Sequence, residues 1–220
     1  MEFLKVLLKY LIAVLIVPLA FGVSSAFYRN LIMIKELSSS IGYFLGGIAA
    51  YVALHLLFYK PTFLYVLGHE AVHAGVAWLF GAKISSFQVS KEGGAVGMDK
   101  SNVVIELSPY FVPIYAILIT LVYFVLLASY NINGSIFVFL IGFALAFHII
   151  STIEIMKVKQ PDFVKSGYFF SIVLVYLLNI MVIALMFGLV FPSFHIKSFF
   201  LDFLTDSKAV YFGIVKQLFF

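Results

Sequence analysis

The chain contains no cysteine. That excludes a disulfide framework, a thiolate metal site and a cysteine nucleophile, and it leaves no redox signature of compartment. Charge is nearly as scarce. Asp, Glu, Lys and Arg together make up 11% of the 220 residues, against about 25% in an ordinary soluble domain. What is there instead is apolar: 64% hydrophobic residues, with 26 Phe and 13 Tyr. A compact soluble fold of this length could not hide so much apolar surface. The composition excludes a soluble enzyme, a disordered chain and a nucleic-acid binder, and it argues for a polytopic membrane protein. The net charge of +4 fits lysines that snorkel at helix ends and set orientation.

A spanning helix needs about 20 mostly apolar residues. Runs at roughly 10–28, 41–59, 61–82, 107–128, 134–155 and 167–191 meet that need. The expected fold is therefore an all-α polytopic membrane protein with about six transmembrane helices. Lys5 and Lys9 precede the first run, and Ser24-Ser25-Ala26 within it also offers a small-residue cleavage site. An uncleaved helix and a signal peptide are both readings of this segment. The second run carries Gly42, Gly46, Gly47, Ala49 and Ala50, small residues that let helices approach closely in lipid.

Residues 83–106 break the helical pattern. Ile84, Phe87 and Val89, then Val103, Val104 and Ile105, are short β-favouring runs around Gly93, Gly94 and Gly97. They predict a small membrane-associated β-hairpin or sheet of two or three strands, shielded by protein. The segment 193–220, with Asp202, Asp206, Lys208 and Lys216, reads as an interfacial amphipathic tail. No repeat or linker divides the chain, so 1–220 is expected to be a single integral-membrane domain with its core at roughly 61–191. With six spans, the 29–40, 83–106 and 155–166 loops share a side. They hold the larger share of basic residues, Lys35 and Lys83 among them, which puts the β-rich segment in the cytoplasm. The expected location is a multi-pass integral membrane protein, in the cytoplasmic membrane if the source is prokaryotic.

Within the third run stands His69-Glu70-Ala71-Val72-His73. H-E-x-x-H sets two imidazoles one helical turn apart, facing one metal, with the Glu beside the first His placed to act as general base on a metal-bound water. With only 5 His in the chain, chance matches to this pattern number about 0.003. An ionisable cluster inside a membrane helix is expensive and marks a functional site. The bland alternative is a set of buried polar residues that hydrogen-bond neighbouring helices. A structural zinc site ordinarily needs four protein ligands, and few others are on offer here.

A transmembrane H-E-x-x-H followed by Gly81, then Gly93-Gly94-Ala95-Val96-Gly97, then Ser108-Pro109-Tyr110-Phe111-Val112-Pro113, resembles the site-2 protease family of intramembrane zinc metallopeptidases. It looks most like the small bacterial members that carry only the membrane core, and the resemblance covers roughly 61–180. It implies one Zn2+ per chain, with His69 and His73 as ligands and Glu70 as catalytic base. It also implies a transmembrane or membrane-associated protein substrate in the lipid bilayer, unwound and paired along the edge of the β-rich segment. Gly94, Val96 and Asn179 are then candidate substrate-binding residues. The family's third ligand is an Asp in an Asn-Pro-Asp-Gly or Leu-Asp-Gly motif, and neither occurs here. Asn131-Ile132-Asn133-Gly134 has the outline without the carboxylate.

His148 and Asp162 compete for the third position. Counted from the β-rich side, His73 lies about 13 Å deep and His148 about 10 Å, with their helices expected to run in the same direction. Asp162, in Gln160-Pro161-Asp162, restores a two-His, one-carboxylate set, but sequence depth puts it at the membrane edge, where a plain helix cap would also explain it. Glu154 is a further candidate ligand, though it reads more readily as a helix-end charge or as a group that orients a ligand from behind. Thr152, Gln160 and Asn179 are candidates for binding substrate backbone or for interhelical hydrogen bonds. His55, His195 and Glu106 carry no signal, and Pro109 and Pro113 loosen the start of the fourth run.

The expected activity is therefore hydrolysis of membrane-embedded peptide bonds, with Glu70 moving the protons and water arriving by a polar path from the β-rich side. A di-iron oxygenase is disfavoured by the scarcity of histidine. A metal transporter, or a catalytically silent membrane relative, is the remaining alternative. A transporter needs more ionisable residues along a path, and Glu70 is intact.

Overall fold

In the computed structural model of the chain, residues 2–34, 40–57, 60–128, 130 and 133–219 are described, the side chains of 2–6 excepted. Lys35, the Asn131-Ile132 pair, the end of the second apolar run and the Lys5 side chain lie outside the described residues. The chain is mostly helical and divides into two compact units, 37–162 and 1–36 with 163–220.

The first unit holds every element around the H-E-x-x-H sequence. Helix α2 (Ser40–Leu57) leads into α3 (Thr62–Leu79), followed by strands β1 (Ile84–Val89) and β2 (Gly94–Met98). A short α4 (Val103–Leu107), a 3-10 turn (Ser108–Tyr110), α5 (Ile114–Leu127) and α6 (Gly134–Met156) complete it. Its packing centre is the α2/α6 pair. A Cβ at Gly47 would run into the Phe139 carbonyl, and one at Gly142 into the Phe44 carbonyl. Bare glycine on each helix thus sets the two backbones in contact, as the small-residue pattern of the second run predicts. Tyr51, Phe143 and Phe147 fill the space beside that crossing, with ring centroids 5.3 and 5.5 Å from Tyr51.

The contacts fix helix directions. Along α2, Phe44 meets Gly142, Tyr51 meets Phe147 and His55 meets Glu154, so α2 and α6 run parallel. Lys60, just before α3, bonds Glu154 near the end of α6 at 2.6 Å, while His69 shares a cavity with Phe147 and His148. Helix α6 therefore runs opposite to α3. The parallel arrangement expected of these two helices is overturned, because α3 starts beside the shared end of the parallel pair and runs back along it. The loop after α6 accordingly lies where α2 gives way to α3 and does not share an end with the β-rich segment.

The β-rich segment is a two-stranded antiparallel hairpin, with Phe87 opposite Val96 and Val89 opposite Gly94. Gly93 takes φ +153° at its turn, a conformation that suits glycine alone. The third expected strand is a helix instead. Asn102 caps α4 by accepting a hydrogen bond from the Ile105 N–H at 3.0 Å, and that local bond outweighs the β preference of Val103-Val104-Ile105. The fourth apolar run is likewise not one straight helix. Pro109 and Pro113 interrupt it, and Val103–Tyr110 meets Ile114–Leu127 at a 76° bend.

The second unit comprises α1 (Glu2–Ile32), α8 (Tyr168–Val190) and α9 (Ile196–Phe219). The six-residue α7 (Pro161–Ser166) straddles the division between the units. Helix α9 lies antiparallel along α1, with Asn30 bonded to Asp202 at 2.8 Å, Arg29 to Asp206 at 2.6 Å, and Tyr211 to the Leu15 carbonyl. Phe199 and Phe203 are its buried face. Asn179 sits on α8 and donates to the Val175 carbonyl of its own helix.

Four described helices are long and apolar enough to cross a membrane, namely α1, α2, α6 and α8, or five if the bent pair is counted as one span. The chain is thus consistent with a membrane protein, with a small two-stranded sheet beside its helices.

Candidate metal centre

Helix α3 carries the centre because its sequence permits an uninterrupted helix from Thr62 to Leu79. It stops where Gly81 takes φ +71° and the Ala82 N–H returns to the Ala77 carbonyl at 2.9 Å. This glycine-closed end is the usual way to satisfy the last carbonyls of a helix. One turn apart on α3, the His69 and His73 rings stand 4.8 Å centre to centre.

A third group joins them. Asp162 Oδ2 lies 3.8 Å from His69 Nε2 and 3.6 Å from His73 Nε2. The three side chains offer donor atoms all within 4.8 Å of one another. Around a tetrahedral metal with bonds of 2.0–2.1 Å, donor atoms sit about 3.3 Å apart, so a modest contraction of this triangle accommodates an ion. Two imidazoles and one carboxylate also leave a coordination position open, as in hydrolytic rather than structural sites. The residues present fit a divalent metal.

Each donor is held from behind. His73 Nδ1 donates to the Ile105 carbonyl at 2.8 Å, which leaves the lone pair on Nε2, the atom that faces Asp162. His69 Nδ1 pairs with the Tyr65 hydroxyl at 3.2 Å. The Tyr110 hydroxyl donates to Asp162 Oδ2 at 3.0 Å, and the Tyr110 ring stands edge-on to His69 at 5.1 Å. Such partners orient a ligand and fix its tautomer. Burial pushes the Asp162 carboxyl up, but the His69 and His73 imidazoles and the Tyr110 hydroxyl outweigh it and hold the group well below the usual carboxylate range.

Glu70 is 7% exposed and packs under the hairpin. A Cβ at Gly94 would come within 2.5 Å of Glu70 Cγ and 2.9 Å of its Cδ. Position 94 was a candidate for touching substrate. Its visible role is to leave room for the Glu70 side chain. Val96 pairs with Phe87 in the middle of the hairpin.

His148 is not in the donor group. It lines, with His69, Tyr65 and Gly68, a cavity of about 20 Å3. The depth count that favoured it assumed parallel helices. With α6 reversed, the segment after α6 folds back along α3 and delivers Asp162 to the level of His69 and His73. Gln160 helps this return, since its amide donates to the Ile155 carbonyl at 2.7 Å and the Val158 carbonyl at 3.1 Å. Glu154 accepts from Lys60 at 2.6 Å and pairs with His55 Nε2 at 3.2 Å, and His55 Nδ1 meets the Tyr51 hydroxyl at 3.1 Å. His55, which the sequence left without a role, is therefore the buried member of a polar cluster that reaches the exposed Lys60.

Sequence reasoning missed Tyr65, Tyr110 and the Ile105 carbonyl. Tyr65 was within reach, being one turn before His69 on the same helix face. Nothing in the local sequence points Tyr110 at Asp162. Comparison with known proteins finds no matching family model, no matching curated protein and no matching solved structure.

Proposed function

We propose that the chain is an intramembrane zinc metalloprotease of the site-2 protease type, hydrolysing peptide bonds of membrane-embedded protein substrates. The observation that carries this reading is the convergence of His69 Nε2, His73 Nε2 and Asp162 Oδ2, with Glu70 buried on the same helical turn. In this reading α3 is itself a span, and because α6 runs opposite to α3 the bent pair between them enters and leaves on one side, so the spans are α1, α2, α3, α6 and α8.

His69, His73 and Asp162 hold one Zn2+ per chain. A bound zinc supplies Lewis acidity, which acidifies water and polarises a carbonyl. Glu70 takes the proton from the attacking water and returns it to the leaving amine. Its burial beneath Gly94 keeps it apart from bulk solvent and fixes its direction. A helical substrate hides its carbonyls in its own hydrogen bonds, so it must be unwound before attack. The hairpin has two strands and so leaves an outer edge on each, which suits pairing with an extended peptide. Small or helix-breaking residues near the cut favour this step.

The test compares wild type with Glu70→Gln on a panel of membrane peptides, with zinc measured in both. Zinc retained and cleavage lost is the expected result. Equal cleavage by both proteins overturns the protease reading. Zinc binding with no cleavage by wild type favours the silent relative or metal-handling protein.

A further inference from the structure

A second cavity, of about 150 Å3, opens at the end of the 37–162 unit where α2 and α6 finish and α3 begins. It is lined by His55, Lys60, Thr62, Tyr65, Ser151 and Glu154. A single water occupies about 10–15 Å3 on this measure, so the cavity holds several, and its walls supply the polar partners they need. Lys60 at the mouth is exposed, whereas Ser151 and His55 are buried within.

Tyr65 is the wall this cavity shares with the 20 Å3 cavity beside His69, and its hydroxyl meets His69 Nδ1. The smaller cavity has the volume of about one water, and its wall is mostly apolar, Pro109, Pro113, Ile114 and Phe147 among it, so water crosses it rather than residing there. The two cavities therefore lie in series, from an exposed lysine to a candidate metal ligand.

We propose that the cavity between Lys60, Ser151 and Glu154 is the water-binding vestibule of the metal centre, and that water passes Tyr65 to reach His69. It rests on the reading of His69, His73 and Asp162 as a zinc site. It relocates the solvent entry from the β-rich side to the end where α2 gives way to α3.

The absence of cysteine makes the test direct. Ser151→Cys and Ile153→Cys each introduce one thiol, in protein kept in membranes. Ile153 is nearer the helix end but points outward, 54% exposed, where lipid covers it. A permanently charged methanethiosulfonate reagent reacts with the thiolate, which forms only in water. The Ser151→Cys protein should react at least tenfold faster than Ile153→Cys. Equal or slower reaction overturns the vestibule, whatever the chain's activity. The adduct then plugs the cavity of an already folded protein, so peptide cleavage by the labelled Ser151→Cys protein should fall about tenfold against its unlabelled form, with zinc content unchanged. Fast labelling with unchanged cleavage overturns the route to His69. A wild-type protein that binds no zinc is a failure of the metalloprotease reading, and the labelling ratio still judges the cavity by itself.

Discussion

Gly94 and Glu70 are in contact through an absent atom: the space where a Cβ would stand at position 94 is occupied by the Glu70 side chain. The hairpin can lie this close to α3 only with glycine there. Gly94→Ala should therefore displace either the hairpin or Glu70. On the proposed reading of Glu70 as the base, displacing it by about 1 Å costs on the order of 100-fold in rate, and that is the expected loss of peptide cleavage, with zinc content unchanged. Gly75→Ala, on the same helix as Glu70 with nothing within 4 Å of its added Cβ, should cleave at the wild-type rate. Equal activity in the two variants would show that the contact has no bearing on function.

The assignment of Asp162 as the third donor predicts an asymmetry with His148. Asp162→Ala should lose bound zinc, while His148→Ala should retain a full equivalent, as measured by metal analysis of the purified proteins. The reverse pattern would restore the histidine. Glu154→Ala should also retain zinc, because its carboxylate is engaged by Lys60 and His55.

Much of this architecture was legible in the sequence, for reasons that separate by range. The H-E-x-x-H turn and the Gly47 contact are set within one helix, by periodicity and by side-chain size. The hairpin was legible from Gly93 and the flanking β-favouring residues. The direction of α6 was not, because it depends on which neighbours each helix returns to, and apolar runs carry no sign of direction. That single unknown moved the third donor from His148 to Asp162. The strand expected at 103–105 failed more locally, where one capping bond from Asn102 decided between two conformations.

Tyr110 is fully buried, with its hydroxyl on Asp162 and its ring against His69. Tyr110→Phe keeps the ring and removes only the hydrogen bond. Partners of this kind are worth about 10–100-fold in metal affinity, so zinc should bind that much more weakly in competition with a chelating dye while still reaching one equivalent at saturation. Tyr65→Phe should act similarly through His69. If both variants hold zinc as tightly as wild type, the two tyrosines only pack against the site.

The α2/α6 crossing offers a test of what holds the unit together. Gly47 and Gly42 stand on the same helix. A Cβ at Gly47 meets the Phe139 carbonyl and the Phe143 backbone nitrogen, neither of which can swing aside, whereas a Cβ at Gly42 meets nothing within 4 Å. Forcing side-chain atoms into such a contact costs about 1–3 kcal/mol, and here it must push apart a helix pair whose lipid-phase attraction comes from close packing. Gly47→Val should therefore lower the thermal midpoint in detergent by several degrees and loosen the Tyr51–Phe143–Phe147 cluster beside it. Gly42→Val should unfold with wild type. Because α6 leads directly to Asp162, zinc affinity should fall in the first variant and hold in the second. A destabilised Gly47→Val protein with unchanged zinc affinity would show that Asp162 is positioned by α4 and the Tyr110 turn, independently of the helix crossing.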